Sequence, residues 1–339
     1  ATTTARVLEP RFADIARADR LNPNASVVGG AEAGYTVRGA LDAEQLSAMD
    51  VSADVIGPVR LETELLFADG VLDLQRIDLT SRAVDATGAA QYTIDGGDLS
   101  ARLDAEVPRL APLAEAFGQP LEGALTLTAE VARIDDVIDA EVQTDLRGGA
   151  YGELADIAAA EIRLSLDGPL DDYTVAANAE MAGLRVDRLT PEILGPVTLD
   201  ATARITDSAL VTAEADLTSD ALSGTLTPRE GGQVLDYALR STNIADLARA
   251  YDIQASGVLR TEGTVALGEP MRIDGSAGVR GLSVAGTPLG TIALEHEVVL
   301  GDNIAANIAL IGSDGTLANT DVTADIALSD GTLILRDLD

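Results

Sequence analysis

Most of the chain alternates apolar and polar residues with a period of two, and this alternation limits it to β-structure. In GPVTLDATARI, the apolar side chains of Val197, Leu199 and Ile205 share one phase, and Thr198 falls in the other. PVRLETELLF, AEIRLSLDG and TIALEHEVVL repeat the pattern, and DG, GG and SDG turns separate such segments. Because each segment has one dry and one wet face, the pattern favours antiparallel neighbours. The sequence therefore predicts a mainly β fold built from one long antiparallel sheet.

The apolar face of such a sheet must be hidden from water by a second sheet, by curling or by a ligand. A second packed sheet usually brings large aromatic side chains, whereas aromatics make up only 3% of the 339 residues and Trp is absent. The hydrophobic content is nevertheless 46%, and it consists mostly of Leu, Val, Ile and Ala. We therefore expect a long, curled, solenoid-like sheet whose aliphatic face forms an apolar groove, a lining that suits acyl chains.

A set of residues in the apolar phase is predicted to line this groove. They are Val59, Leu61, Leu65, Phe67, Leu125, Leu127, Val131, Ile162, Leu164, Val197, Leu199, Ile205, Ile292, Leu294 and Val298. None of these side chains carries a polar group. The lining is therefore expected to hold apolar ligands without fixed polar contacts.

A degenerate repeat of about 136 residues runs through the chain. GPVRLETEL recurs as GPVTLDATA, the tetrapeptide DLTS occurs twice, and DGTLILRDL starts a further copy. The predicted units are the end of a preceding repeat at 1–56, one repeat at 57–194, a second at 195–329 and the start of a further one at 330–339. Because it begins and ends inside a unit, we expect the sequence to be an internal fragment of a longer protein.

Two short segments break the alternation with helical spacing. In LAPLAEAFG, the side chains of Leu110, Leu113 and Phe117 fall on one face of a helix, which we place near 110–118. The matching segment IADLARAYD predicts a second helix near 244–251. Its corresponding residues are Ile244, Leu247 and Tyr251. These repeat-junction helices are predicted either to cap or plug the groove, or to be plain connecting turns with a packed face.

The net charge is −33, from 56 acidic residues against 23 basic ones, all of which are Arg. Charge of this size keeps a β-rich protein soluble, and it argues against nucleic-acid binding and against docking on anionic lipid headgroups. No apolar run is long enough for a membrane helix. The acidic residues are therefore expected to form a solvated exterior.

The residue types that most catalysis requires are scarce. The chain has one His, no Cys and no Lys, and His296 lies in the apolar phase of its segment, where a structural role is expected. Pairs such as Asp135–Asp136 are expected by chance among 56 acidic residues. GSAGVRG lacks phosphate-binding spacing, and the sequence contains no calcium-loop motif. We therefore expect no enzyme activity, no catalytic residue, no metal site and no cofactor.

Three segments resemble the AsmA-like superfamily, and most closely its TamB-type translocation and assembly modules. They are DGVLDLQRIDLTSRAVDATGAAQYTI, LAPLAEAFGQPLEGALTLTAEV and the strand start GPVTLDATARI. The resemblance covers essentially the whole chain and rests on degenerate repeats. It implies a periplasmic, repeating-β-groove (taco-shaped) body in a Gram-negative cell envelope, anchored in the inner membrane through a segment outside this sequence. The partners it implies are phospholipid and an outer-membrane protein of the Omp85 family.

The aliphatic lining and the resemblance together predict a periplasm-spanning groove segment. It would shield phospholipid acyl chains during transport between the inner and outer membranes, and support outer-membrane protein assembly and translocation. Two alternatives stay open at this point. One is a chaperone or scaffold whose strand edges pair with β-barrel precursors. The other is a secreted β-solenoid adhesin segment.

Overall fold

The protein is mainly β in the computed structural model, with 71% of residues in strands and 8% in helices. The structure describes residues 2–4, 7–8, 11–12, 16–30, 34–48, 51–152, 154–207, 209–229, 233–267, 270–300, 304–329 and 332–338. Within these ranges, every helix is too short or too polar to cross a membrane.

Strands follow one another along the chain with short connections. They are β1 (Thr2–Thr4), β2 (Val7–Leu8), β3 (Arg11–Phe12), β4 (Ala16–Arg17), β5 (Arg20–Gly30), β6 (Gly34–Glu44), β7 (Ser47–Ala48), β8 (Val59–Ala68), β9 (Val71–Thr80), β10 (Asp85–Thr93), β11 (Leu99–Val107), β12 (Leu121–Ile134), β13 (Val137–Tyr151), β14 (Ala155–Pro169), β15 (Asp172–Ala182), β16 (Arg185–Val186), β17 (Val197–Thr206), β18 (Ala209–Thr218), β19 (Ser223–Pro228), β20 (Val234–Ser241), β21 (Ala255–Ala266), β22 (Met271–Val284), β23 (Thr287–Leu300), β24 (Ile304–Gly312), β25 (Asp321–Ser329) and β26 (Thr332–Leu338). The short helices in the described ranges are α1 (Ala53–Ile56), α2 (Ala111–Ala116), α3 (Pro191–Leu194) and α4 (Ala245–Ala250), with a 3-10 turn at Gly315–Leu317.

One long antiparallel sheet, which is not closed, contains 23 of the described strands. Three of these have only two or three residues, and the other 20 form the body of the sheet. Tight turns join sequence neighbours, as at Asp69 and Gly70, where φ is 50° and 75°. A small second sheet joins β3, β4 and β7. The predicted fold class, a mainly β protein with one long antiparallel sheet and short helices, is confirmed.

The chain divides into two compact units, Ala1–Val175 and Ala176–Asp339. In the first unit the ladder runs through β5, β6 and β8 to β14 in chain order. In the second it runs from β17 to β26. Each unit contains the same succession of a short helix, four strands, a second short helix and further long strands. The element order of the repeat therefore occurs once in each unit.

Helices α1 and α3 are not predicted by the sequence analysis. They follow Ser52 and Thr190, and each ends at a glycine in positive φ, Gly57 at 73° and Gly195 at 65°. The N–H of each glycine donates to the carbonyl of the first helical residue at 2.8 Å. The signal was present in both copies as a Ser or Thr before the helix and Gly-Pro after it.

The repeated DLTS tetrapeptide ends β9 and β18 in a turn held by its Ser hydroxyl. Ser81 Oγ accepts the N–H of Val84 at 2.9 Å and donates to the carbonyl of Val84 at 2.8 Å. Ser219 bonds Leu222 in the same way, at 3.1 and 3.0 Å. Such turns satisfy backbone groups that have left the ladder. The tetrapeptide therefore closes an equivalent turn in each unit.

Helices α2 and α4 are each tied to a bulge in the strand that follows. The N–H of Leu110 donates to the carbonyl of Gly123 at 2.8 Å, and that of Ile244 to Gly257 at 3.0 Å. The two glycines have φ of 122° and 147° and lie where the ladder register shifts. A Cβ on Gly257 would lie 2.8 Å from Val279 Cγ1, so glycine is required there.

The fully buried core described in the first unit is small and lies beside α1. Ala18, Leu21, Ala43 and Val59 form it, and Ile56 of α1 packs against it. Few other hydrophobic side chains in the described ranges are fully buried. Most of the aliphatic side chains on the sheet are therefore left without a second layer over them.

Removing the Ser81 hydroxyl is expected to destabilise the first unit by about 1–2 kcal/mol, because the Val84 N–H loses its partner and the Val84 carbonyl keeps only its bond from the Ser81 N–H. Urea unfolding of Ser81→Ala, followed by circular dichroism, measures this loss. Ser100→Ala on β11 is the matched control, since Ser100 is exposed, and its effect should stay within about 0.5 kcal/mol. Equal losses in the two variants would contradict the role assigned to Ser81.

Candidate functional site

Cross-strand register keeps the apolar residues of the first unit on one face of its sheet. Residues directly opposite each other in neighbouring strands point to the same side. Leu61 lies opposite Leu41 and Leu79. From there one unbroken row crosses the strands to β14. In order, this row is Pro23, Leu41, Leu61, Leu79, Ala86, Ala105, Leu127, Thr144 and Ile162.

We call the residues in phase with Leu61 across β5, β6 and β8 to β14 the apolar face of the first unit. Nine strands spaced at about 4.8 Å make it roughly 40 Å wide across the strands. Every groove-lining residue predicted in this unit lies on it: Val59, Leu61, Leu65, Phe67, Leu125, Leu127, Val131, Ile162 and Leu164. The structure therefore brings residues from distant segments onto one continuous surface.

A bulge in β9 keeps that surface continuous where the alternation of the sequence breaks. In VLDLQRIDL, Leu72 and Leu74 fall in one phase and Ile77 and Leu79 in the other. The register of β9 shifts between these pairs, so that Leu74 lies opposite Leu65 while Leu79 lies opposite Leu61. The extra residue turns both pairs to the same side.

The second unit has an equivalent apolar face, the residues in phase with Leu199 from β17 to β25. A row runs from Leu199 through Leu217, Gly224, Leu239, Thr261 and Ala277 to Leu294. All of the lining residues predicted in this unit lie on this face: Val197, Leu199, Ile205, Ile292, Leu294 and Val298. Among the side chains of this row, the Thr261 hydroxyl is the one polar group.

Most side chains on the two apolar faces are half-buried rather than enclosed, but two of the predicted lining residues, Val59 and Val197, are buried, with 8% and 3% exposure. In the first unit, Leu61 and Leu127 are partly accessible, Phe67 is 37% exposed and Leu164 is 40% exposed. In the second unit, Leu199, Ile292 and Leu294 are partly accessible. A second sheet packed over them would bury such side chains almost completely. Each unit therefore presents an accessible aliphatic surface of the kind that binds apolar ligands or partners.

His296 is the polar side chain that sequence analysis placed among apolar neighbours, and it has a partner on the same face. Its Nε2 shares a hydrogen bond with the Tyr237 hydroxyl at 2.9 Å. Two glycines, Gly263 and Gly275, separate them in the cross-strand row. A Cβ on Gly275 would lie 2.5 Å from the Tyr237 oxygen, so the tyrosine covers the glycines. This geometry gives His296 a structural partner.

The predicted repeat-junction helices are observed at Ala111–Ala116 and Ala245–Ala250. The side chains of Leu110, Leu113, Ile244 and Leu247 are half-buried. Phe117 and Tyr251, the residues that follow the last turn of each helix, are exposed, at 58% and 46%. The ring of Tyr251 lies 5.7 Å from the guanidinium of Arg188, a cation–π contact. Whether these helices plug a groove or only connect strands stays a prediction.

The opposite, polar face of the first unit carries cross-strand and same-strand ion pairs. Arg38 on β6 contacts Glu64 on β8 at 2.7 Å, and Arg102 lies 3.2 Å from both Asp104 and Glu130. The hydrogen bond from Arg38 lowers the pKa of Glu64, and those from Arg102 and Thr128 lower that of Asp104. The charged side chains of these ion pairs are at least 30% exposed, so each pair contributes little to stability.

Three described depressions open on the polar faces. The largest, of about 880 Å³, lies in the second unit between β18 and β23, and Arg240, Arg260 and Arg280 line it. The sequence alone does not predict this arrangement. The signal was the recurrence of Arg at intervals of twenty residues in the polar phase, but only the register shows that the three meet.

In the described ranges, no group of three or more Asp, Glu or His side chains is placed to hold a metal ion. The apolar faces themselves offer aliphatic contact and few polar groups. Their chemistry is therefore reversible apolar binding, driven by the removal of aliphatic surface from water.

A single introduced thiol can distinguish the two faces, because the chain has no Cys. Leu127→Cys and the matched control Thr126→Cys are neighbours on β12 that point to opposite faces. Bimane attached at Leu127→Cys is expected to emit at a shorter wavelength, since its surroundings are less polar. Equal emission from the two labels would contradict the assignment of the apolar face.

Comparisons with known proteins leave the assignment to geometry. No family model, curated protein or solved structure matches the chain. The apolar faces are therefore interpreted from their residues, register and exposure alone.

Proposed function

We propose that the apolar faces hold phospholipid acyl chains, as part of a conduit between the inner and outer membranes of a Gram-negative envelope. On this proposal the protein is not an enzyme, and it also supports the assembly and translocation of outer-membrane proteins with an Omp85-family partner. The observation that carries the proposal is the unbroken, half-exposed aliphatic face of the first unit. The resemblance of the repeats to AsmA-like, TamB-type proteins supports the periplasmic setting and the partner.

An acyl chain matches this face in its chemistry. It needs continuous contact with apolar surface and no hydrogen bonds, and each methylene removed from water contributes about 0.8 kcal/mol. The row through Leu61, Leu79 and Leu127 supplies such contact and interrupts it with a hydroxyl only at Thr144. Ordered recognition of a headgroup would require several polar groups, and this row offers only the Thr144 hydroxyl. The proposal is therefore binding by acyl chain rather than by headgroup.

An acyl chain also matches the face in size. The hydrocarbon core of a bilayer is about 30 Å thick and holds two leaflets, so one acyl chain extends roughly 15 Å. The apolar face of the first unit is about 40 Å wide across its strands. A lipid can therefore keep its chains in contact with the face while it moves from one strand to the next.

Site-specific photo-crosslinking tests the proposal. Benzoylphenylalanine is placed singly at Leu61, Leu127 and Leu199 on the apolar faces, and the purified protein is illuminated with phosphatidylcholine vesicles. Each position has a matched control on the neighbouring polar residue: Arg60, Thr126 and Thr198. We expect lipid adducts several-fold more abundant at the apolar positions, measured by mass spectrometry.

Equal labelling of the two sets by lipid would contradict the proposal. Crosslinks at the apolar positions to unfolded β-barrel precursors, with no lipid adduct, would contradict it as well. That second outcome would favour the chaperone alternative.

The junction helix offers a test of whether lipid occupancy is controlled at the repeat boundary. Replacing Leu113 and Phe117 together with Ser removes the apolar side chains of α2. If the helix plugs the groove, we expect altered lipid labelling at Leu127, which lies on the adjoining strand β12. If the helix only connects strands, the double variant lowers stability in urea and leaves the labelling pattern unchanged.

A further inference from the structure

We propose that the polar face of the second unit binds a compact phosphate-type oxyanion at a cluster of three arginines. The cluster is Arg240 on β20, Arg260 on β21 and Arg280 on β22, and all three line the depression of about 880 Å³. This site lies on the face opposite to the proposed lipid surface, and it does not depend on lipid binding.

The register places the three cations side by side. Arg240 lies directly opposite Arg260, and Arg280 is opposite Val258, two residues along β21 from Arg260. Directly opposed residues have Cβ atoms about 5 Å apart. The three guanidinium groups can therefore reach one small ligand.

This arrangement is unfavourable for folding alone. Like charges directly opposite each other on a sheet are destabilising, and the chain has 56 carboxylates with which to separate its 23 cations. On the polar face of the first unit it does so, as in the contacts of Arg38 with Glu64 and of Arg102 with Asp104 and Glu130. Arg240 and Arg260 are instead directly opposed, as Arg11 and Arg17 are in the small sheet. The pair Arg240–Arg260 differs in lining a depression together with a third arginine.

Nearby carboxylates leave the cluster cationic. Glu262 contacts Arg260 at 3.4 Å, with side chains 58% and 75% exposed, so the pair is weak. Asp216 lines the far side of the depression. Among the described residues, neither Arg240 nor Arg280 has an ion pair. Two of the three guanidinium groups are thus available to an anion.

The floor of the depression leaves room for the ligand. Gly278 lies between Arg260 and Ala293 in the cross-strand row, and Ala238 lies beside Arg240 on β20. Guanidinium groups bind phosphate oxygens through paired, charge-assisted hydrogen bonds. A phosphate group above Gly278 can accept such bonds from several sides.

The charge of the whole chain decides between a free anion and an anionic membrane. A net charge of −33 repels an extended negative surface. A compact anion instead feels mainly the nearby guanidinium groups, because salt screens more distant charges beyond about 8–10 Å. We therefore assign the site to a small soluble phosphate compound.

Calorimetric titration with pyrophosphate, at ionic strength fixed with sodium chloride, tests the assignment. We expect saturable binding to the full chain that is at least about tenfold weaker in Arg240→Gln and Arg260→Gln. Arg102→Gln is the matched control, a strand arginine on the polar face of the first unit, and should bind as the unchanged protein does. Loss of binding in Arg102→Gln as well would show a general charge effect and overturn the proposal.

A second variant blocks the floor without changing the charge. A Cβ on Gly278 meets nothing closer than 3.8 Å, and valine suits a strand, so Gly278→Val should fold. We expect it to weaken pyrophosphate binding while all three arginines remain. Undiminished binding in Gly278→Val would overturn the placement of the anion.

Two further outcomes contradict the proposal outright. One is a thermal stabilisation by pyrophosphate no larger than that by sodium chloride at equal ionic strength. The other is arginine-dependent binding to phosphatidic acid vesicles without binding of free pyrophosphate, which would assign the cluster to a membrane surface.

Discussion

The protein depends on one constraint, the register that places apolar residues of neighbouring strands directly opposite one another. Because opposed residues share a face, a strand that slipped by one position would turn its leucines toward water and its carboxylates inward. The row through Leu61, Leu79 and Leu127 persists over many strands only because each ladder keeps this register. Where the sequence loses phase in VLDLQRIDL, the bulge in β9 restores it. Bulges and turns thus preserve the same property as the strands, a continuous aliphatic side.

Such a surface is costly for an ordinary soluble protein, which would cover it with a second layer. Here the small buried core beside α1 and the half-exposed side chains of Phe67 and Leu164 indicate that most of this surface is uncovered within the first unit. The net charge of −33 offsets the resulting tendency to associate, because like-charged molecules repel each other. An exposed aliphatic face together with strong net charge is the combination expected of a carrier for apolar ligands, and this is the physical basis of the proposed lipid conduit.

The sequence alone predicted which residues share a face of the sheet. It did not predict the two shortest helices, or which polar residues of neighbouring strands lie side by side. Alternation in PVRLETELLF was enough to place Leu61 and Leu65 on one side, and helical spacing located α2 and α4 to within two residues. Helices α1 and α3 were missed because four-residue helices leave too few turns for a period to show. The arginine cluster was out of reach for a different reason. It depends on the pairing of β20, β21 and β22, which turn lengths and a bulge near Gly257 determine.

The central claim is that the apolar faces hold lipid. Its most direct test is native mass spectrometry of the protein purified without detergent from a Gram-negative host, followed by phospholipid analysis of the released ligand. The account predicts bound phospholipid in defined stoichiometry, reduced when Ala129 and Val142 on the apolar face are both replaced by Asp and retained when Thr126 and Gln143 on the polar face are. Purified protein that folds normally and carries no phospholipid would contradict it.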